Sequence, residues 1–195
     1  MLKKNLCGLF AALFAAGFAG CGGGPRTYTV VDGTMLGTTL HVVADVEGVS
    51  SQELYAAVME LDREAKASMS IFDPASLLSR LNRNETDSVD RHIAFNLRLA
   101  DSIGVLSGGR YDVTVEPLVE AWGFAGKAAQ AHPNVDSILD FVGREKVRIE
   151  RGRLVKSDPR VQLDFNSVAK GYTVDLLAEP VERFGAENYI VDIGG

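Results

Sequence analysis

The stretch TYTVVDGTMLGTTLHVVADVE, residues 27 to 47, alternates apolar and polar side chains on either side of Asp32-Gly33. A two-residue period around a turn-forming pair predicts two antiparallel strands, so the folded body opens on a hairpin. One face of such a hairpin is apolar and needs a cover. The residues that follow supply it as helices in blocks. SSQELYAAVMELDREAKASMS carries a Ser50-x-x-Glu53 capping box and apolar positions Leu54, Val58, Leu61 and Ala65, the spacing of an amphipathic helix. Asp73-Pro74 reads as the start of a short helix over ASLLSRLN, with Asp73 as its N-cap and Pro74 at its first position. Residues 91 to 107 repeat the helical spacing through Ile93, Leu97, Ala100 and Ile103, and Gly108-Gly109 supply the stop. RYDVTV reads as a strand, and Pro117 opens a helical turn through Trp122. A helix around residues 135 to 142 comes next, then a hairpin in KVRIERGRLVKS turned at Arg151-Gly152. A strand over 160 to 165 feeds a helix over 167 to 184 that Pro180 interrupts or kinks, and NYIVDIGG is a final strand. Strands in hairpins and helices in blocks predict an α+β fold, a mainly antiparallel sheet with packed helices, and not a doubly wound one.

The first twenty residues belong to a different kind of segment. Lys3 and Lys4 precede the apolar run LCGLFAALFAAGFAG, which ends in small residues directly before Cys21. That is the pattern of a secretory leader, and the cysteine after Ala19-Gly20 fits a lipobox in which Cys21 is lipidated and becomes the mature N-terminus. The expected layout is a signal peptide over 1–20, a lipidated cysteine and short flexible tether over 21–27, and one folded region over 28–195. Cys7 lies inside the leader, so the exported body has neither a disulfide framework nor a thiolate metal site and must fold on its core. Loss of Lys3 and Lys4 takes the formal charge from −6 to −8. An acidic body disfavours nucleic acid as a partner and anionic lipid as a surface, so membrane attachment is expected through the lipid anchor.

Much common chemistry is missing. His41, His92 and His132 are scattered without metal-type spacing, and there is no G-x-S-x-G elbow, Walker A loop or G-x-G-x-x-G fingerprint. What remains are polar residues at junctions. In LDFNSVAKGY, residues 163 to 172, Asn166 or Ser167 can cap a helix whose free N–H groups and dipole form an anion site. Lys170, one turn in, can reach the same anion, and Asp164 can accept from a ligand or help place a cation. The same residues also suit a plain capped helix with a solvated lysine. In GGRYDVTVEPLVEAWGF, glycines precede Arg110, Tyr111 and Asp112; Tyr111 can stack on a planar ligand, and Asp112 can equally cap a turn. Trp122 and Phe124 read as core residues.

Taken in order, TMLGTTLHV, MSIFDPASLLSRLN, GGRYDVTVEPLVEAWGF, LDFNSVAKGYTVDLLAE and NYIVDIGG resemble the ApbE family of FAD:protein FMN transferases. The resemblance runs from about residue 28 to the end. It implies an α+β flavin transferase fold, FAD as the donor substrate, and a magnesium-dependent transfer that puts FMN on a threonine hydroxyl of an acceptor flavoprotein and releases AMP. The implied acceptors are subunits of sodium-pumping NADH:quinone reductase and Rnf-type complexes, reached from the periplasmic side of the bacterial cell envelope. By the same resemblance Arg110, Tyr111, Asp112, Asp164 and Lys170 contact FAD, and Ser167 stands where the family offers a magnesium ligand, commonly an alanine using its carbonyl. Met35 and Phe72 are further FAD contacts; Leu36 holds the place of the family's usual methionine, and Phe72 stands where a tyrosine is frequent. Past the last Gly-Gly the family continues with more sheet and a helical segment whose aspartate and threonine complete the magnesium site. A chain ending at Gly195 is therefore expected to carry an incomplete metal site and an unpaired sheet edge.

Overall fold

The computed structural model describes residues 26–124, 126 and 128–195. The predicted leader, Cys21 and most of the tether lie outside the described residues. Strand β1, Thr29–Met35, and strand β2, Thr38–Ala44, form the expected hairpin. Its turn is Leu36-Gly37 and not Asp32-Gly33, which sit mid-strand opposite His41 and Leu40. Two-residue hairpin turns of this kind need positive φ at both positions, and Leu36 (49°) and Gly37 (75°) supply it. A leucine tolerates this conformation poorly. Here the Leu36 N–H is held by the carboxylate of buried Asp62 at 3.2 Å, and its side chain packs against both core clusters. Gly33 has another use: a Cβ there would stand 3.2 Å from the Tyr55 ring, so the bare backbone lets that ring lie on the strand.

Helix α1, Ser51–Met69, covers the hairpin and begins at the predicted capping box, with Ser50 Oγ accepting from the Glu53 N–H and the Glu53 carboxylate accepting from the Ser50 N–H. Strand β5, Tyr189–Ile193, joins antiparallel to β2, giving the order β1-β2-β5. Val31, Met35, Leu40 and Val42 on the inner face of this sheet pack with Leu54, Val58 and Leu61 of α1 and with Leu177 and Val181 of helix α6, Asn166–Arg183. A second cluster joins the far end of α1 to helix α2, Leu77–Asn82, helix α3, Arg91–Leu106, the first turns of α6, and the hairpin of β3, Val147–Glu150, and β4, Arg153–Lys156. That hairpin turns at Arg151-Gly152, as expected. Helix α3 stops at the glycine pair, where Gly108 and Gly109 take positive φ.

Several elements differ from expectation. The N-cap of α2 is Ser76, whose Oγ accepts from the Ser79 N–H; Asp73 instead accepts from the Ala75 N–H in the turn before it. The segments 110–115 and 160–165 are not strands. They lie side by side with one parallel bridge, Val115 to Gln162, and one further bond from the Asp164 N–H to the Val113 carbonyl at 2.8 Å. Helix α4, Glu116–Ala121, carries Pro117 in its first turn, and helix α5, Val135–Leu139, is shorter than predicted. Trp122 (53% exposed) and Phe124 (78%) are surface residues and not core. Pro180 does not interrupt α6; it sits buried in the last turns. Among the described residues no helix is long and apolar enough to cross a membrane.

Candidate functional site

The short parallel contact between 110–115 and 160–165 brings two distant stretches to one place, the start of α6. The N-cap there is Phe165, with no side-chain cap, so neither Asn166 nor Ser167 plays the capping role expected of it. Asp164 does part of that work, accepting from the Asn166 N–H at 2.7 Å. The N–H groups of Val168 and Ala169 both turn back to the Phe165 carbonyl. Asn166, Ser167 and Lys170 are exposed in these first turns, and Lys170 has no hydrogen bond or ion pair among the described residues. An 18-residue helix thus opens with its positive end and a free ammonium on the same surface.

Tyr111 arrives from the other stretch. Its hydroxyl lies 2.8 Å from Ser167 Oγ, and its N–H donates to Ser107 Oγ at the end of α3. Arg110 is exposed and reaches the Ser107 carbonyl only at 3.4 Å, leaving its guanidinium available. Asp112 is engaged by the protein itself. Its Oδ1 accepts from the Thr114 N–H (2.8 Å) and hydroxyl (2.7 Å), and its Oδ2 accepts from the Arg144 N–H (2.7 Å). Asp112 therefore organises a turn, the second of the two roles its position suggested.

Five of the predicted positions, Arg110, Tyr111, Asp112, Asp164 and Lys170, together with Ser167, thus fall on two adjoining segments. Met35 and Phe72 stand differently: Met35 is fully buried in the sheet core and offers no surface to a ligand, whereas Phe72 is 63% exposed on the loop between α1 and α2. Among the described residues no three His, Cys, Asp or Glu side chains converge as a metal site. Sequence reasoning passed over Ser107, Thr114 and the Gly143-Arg144 turn. Asp112-x-Thr114 is a readable local turn signal, but nothing in the sequence ties it to residues some thirty positions later.

Residues 36–195 match the profile of the ApbE family. This chain belongs to that family. Across its whole length it is 32% identical to the FAD:protein FMN transferase of Haemophilus influenzae, of which it spans 60%. It is 32% identical to that of Vibrio cholerae over 88% of the chain and 54% of the relative. Among solved structures, the Vibrio cholerae flavin transferase ApbE aligns with 88% of the chain and 58% of its own length, at a TM-score of 0.80 and 30% identity. The apo flavinyl transferase ApbE of Pseudomonas stutzeri aligns with a TM-score of 0.80 at 26% identity. The α+β architecture described above is thus the ApbE fold over the part the chain spans. The family match begins at Leu36 and contains both segments of the site.

Proposed function

We propose that this chain carries the flavin-binding part of an FAD:protein FMN transferase, with FAD held at the start of α6. The observation that carries this reading is the junction itself: a helix start whose N-cap residue, Phe165, makes no side-chain cap, with unpaired Lys170 and with exposed Ser167 bonded across 2.8 Å to Tyr111. A diphosphate suits the helix dipole and the Lys170 ammonium, Arg110 adds a second cation at the rim, and Tyr111 offers an aromatic surface. The reaction this reading assigns forms a bond between an acceptor threonine oxygen and the FMN-side phosphorus, breaks the pyrophosphate bond, releases AMP, and passes the threonine proton to solvent or the leaving phosphate. Chemistry of this kind needs positioning and charge, not a protein nucleophile, so the scattered histidines are no obstacle.

Magnesium fits this surface in part. Ser167 Oγ and the Asp164 carboxylate are hard oxygen donors near the helix start that would hold such a cation, but two such residues are not a protein cage, and the ion would depend on further oxygens from outside the protein. Bound there, the ion would offset charge on those oxygens. The acceptor is an exported flavoprotein such as the subunits of sodium-pumping NADH:quinone reductase or Rnf-type complexes, met at the periplasmic face of the envelope by a chain anchored through a lipid on Cys21. A second reading, FAD binding without transfer, is favoured by the thin donor set alone.

Both are tested by titrating FAD into the chain by flavin fluorescence and then adding an acceptor domain with magnesium. Saturable binding, weakened about tenfold or more by Lys170→Ala, with an intact-mass gain of one FMN on the acceptor, is the expected result. Binding without mass gain selects the second reading, and absence of binding refutes both.

A further inference from the structure

Behind Tyr111 lies a set of contacts that spans three parts of the chain. Thr114, fully buried, donates its hydroxyl to Asp112 Oδ1 (2.7 Å) and accepts at the same oxygen from the Gly143 N–H (2.7 Å). Asp112 Oδ2 takes the next amide, that of Arg144. Two consecutive N–H groups of a remote turn are therefore gripped by a carboxylate and a hydroxyl that are themselves bonded to each other. The Arg144 side chain then crosses Gly104 of α3 to reach Asp101, with Nη1 to Oδ1 at 2.6 Å. Gly104 has to be glycine for this path: a Cβ would stand 2.9 Å from Arg144 Cδ and 3.1 Å from the Tyr111 carbonyl oxygen. Gly143 has φ 153°, and a Cβ on it would meet the Glu145 carboxylate.

These contacts reach the backbone that carries Tyr111. The Tyr111 backbone is held at its N–H by Ser107 and has its carbonyl against the Gly104–Arg144 crossing, and the residue after it is Asp112. The backbone held in this way carries the Tyr111 ring, whose hydroxyl lies 2.8 Å from Ser167 Oγ. We propose that Thr114 is a positioning residue for the flavin site, its hydroxyl locking Asp112 onto the Gly143-Arg144 turn and so setting Tyr111 against Ser167. Three of the four or so acceptor positions of the Asp112 carboxylate are occupied inside this lock, so Asp112 acts on the flavin through Tyr111 and not as its principal ligand. The inference rests on the proposed binding of FAD at this helix start.

The test compares Thr114→Val, which keeps the shape and removes the hydroxyl, with Thr114→Ser, which keeps the hydroxyl. Amide hydrogen exchange across 142–146 and FAD affinity by fluorescence are read on the same samples. Thr114→Val is expected to speed exchange at Gly143 and Arg144 and weaken FAD, each by about tenfold, the size of one net hydrogen bond; Thr114→Ser restores both. Lys170→Ala weakens FAD and leaves the exchange unchanged. Faster exchange with unaltered FAD affinity overturns the proposal while the FAD reading stands, as does a loss of affinity that serine fails to rescue. Wild-type chain that binds no FAD overturns the FAD reading, and the proposal with it. If Thr114→Val does not fold, Asp112→Asn serves in its place: it keeps an acceptor for Thr114 but sets an amide against the Arg144 N–H, and unchanged FAD affinity in that variant is equally fatal.

Discussion

The β1-β2-β5 sheet and the paired segments 110–115 and 160–165 are both places where remote parts of the chain run side by side, and different chemistry holds them. In the sheet the backbone does the work: seven register pairs join β1 to β2 and five join β2 to β5, over a continuous apolar face. In the second region one bridge and one further backbone bond remain, and side chains take over the ladder. Asn82, almost buried at the end of α2, donates to the Leu163 carbonyl (2.9 Å) and accepts from the Leu163 N–H (2.8 Å), as a neighbouring strand would. Asp112, Thr114 and Asp164 hold the rest. A ladder saturates its own edges with identical bonds, whereas side-chain clamps fix a few atoms and leave others open. The surface that is proposed to take a ligand is in the region built the second way.

The sharpest way to break this comparison is Asn82→Ala. It strips a buried N–H and a buried carbonyl of their partners at once, so a loss of about 2–4 kcal/mol is expected, read as a lower urea midpoint, together with weaker FAD binding. Leu40→Ala, in the sheet core, should cost a similar 2–5 kcal/mol or so with FAD affinity of the folded chain unchanged. If the two variants affect FAD alike, the regions are not separable and the contrast fails.

Lys156 gives the next effect. Its ammonium is taken into the irregular region, donating to the Leu81 carbonyl (2.7 Å) and Asn84 Oδ1 (3.0 Å). Burial pushes its pKa down to about 8. The unfolded chain, with an ordinary lysine near 10.5, then binds more protons than the folded one between about pH 8 and 10.5, so stability should rise with pH across that window. Urea midpoints at pH 7.5, 8.5 and 9.5 check it (about one unit apart, enough to resolve the slope), and Lys156→Met should remove the rise. A smaller and purely local effect belongs to the regular part: Ser50→Ala removes the capping box of α1 and should cost about 1 kcal/mol without touching FAD binding.

The same contrast explains what could be read from the sequence. Elements whose periodicity and caps are local were legible: the Ser50-x-x-Glu53 start of α1, the Gly108-Gly109 stop of α3, the Arg151-Gly152 hairpin. The opening hairpin was legible as well, but its turn was misplaced, because Asp32-Gly33 looks like a turn signal when the glycine is there for Tyr55, and Leu36 reaches its left-handed conformation only with the aid of Asp62. RYDVTV and VQLDF alternate as strands do; what prevents a ladder is Asp112 capturing the Thr114 N–H and hydroxyl, and Asn82 capturing Leu163. No pattern within either stretch announces Asn82 or Arg144, so the site residues were nameable one by one, and the members that hold them in place were not.

The last prediction concerns the point where both regions lean on α6. His92, 5% exposed, accepts at Nε2 from Arg91 Nε (3.3 Å), which places its proton on Nδ1 and makes it the donor to the Tyr172 hydroxyl at 2.9 Å. Phe95 stacks on the same tyrosine, two residues beyond Lys170. Burial is the main influence on this imidazole and lowers its pKa; among the charges around it, Asp90, Glu64 and Glu179 favour the cation and Arg91 opposes it. A folded-state pKa below the ordinary histidine value of 6.5 means that the unfolded chain takes up the proton first, so stability is expected to fall as pH drops through about 6.5 and below. His92→Gln, which keeps a donor and acceptor but does not titrate there, should flatten that part of the profile. Protonation at Nε2 would also cost the Arg91 bond and draw the ring toward Glu64, 3.9 Å away. An acid slope that survives His92→Gln would move the pH-sensitive contact away from His92 and from the helix that carries Lys170.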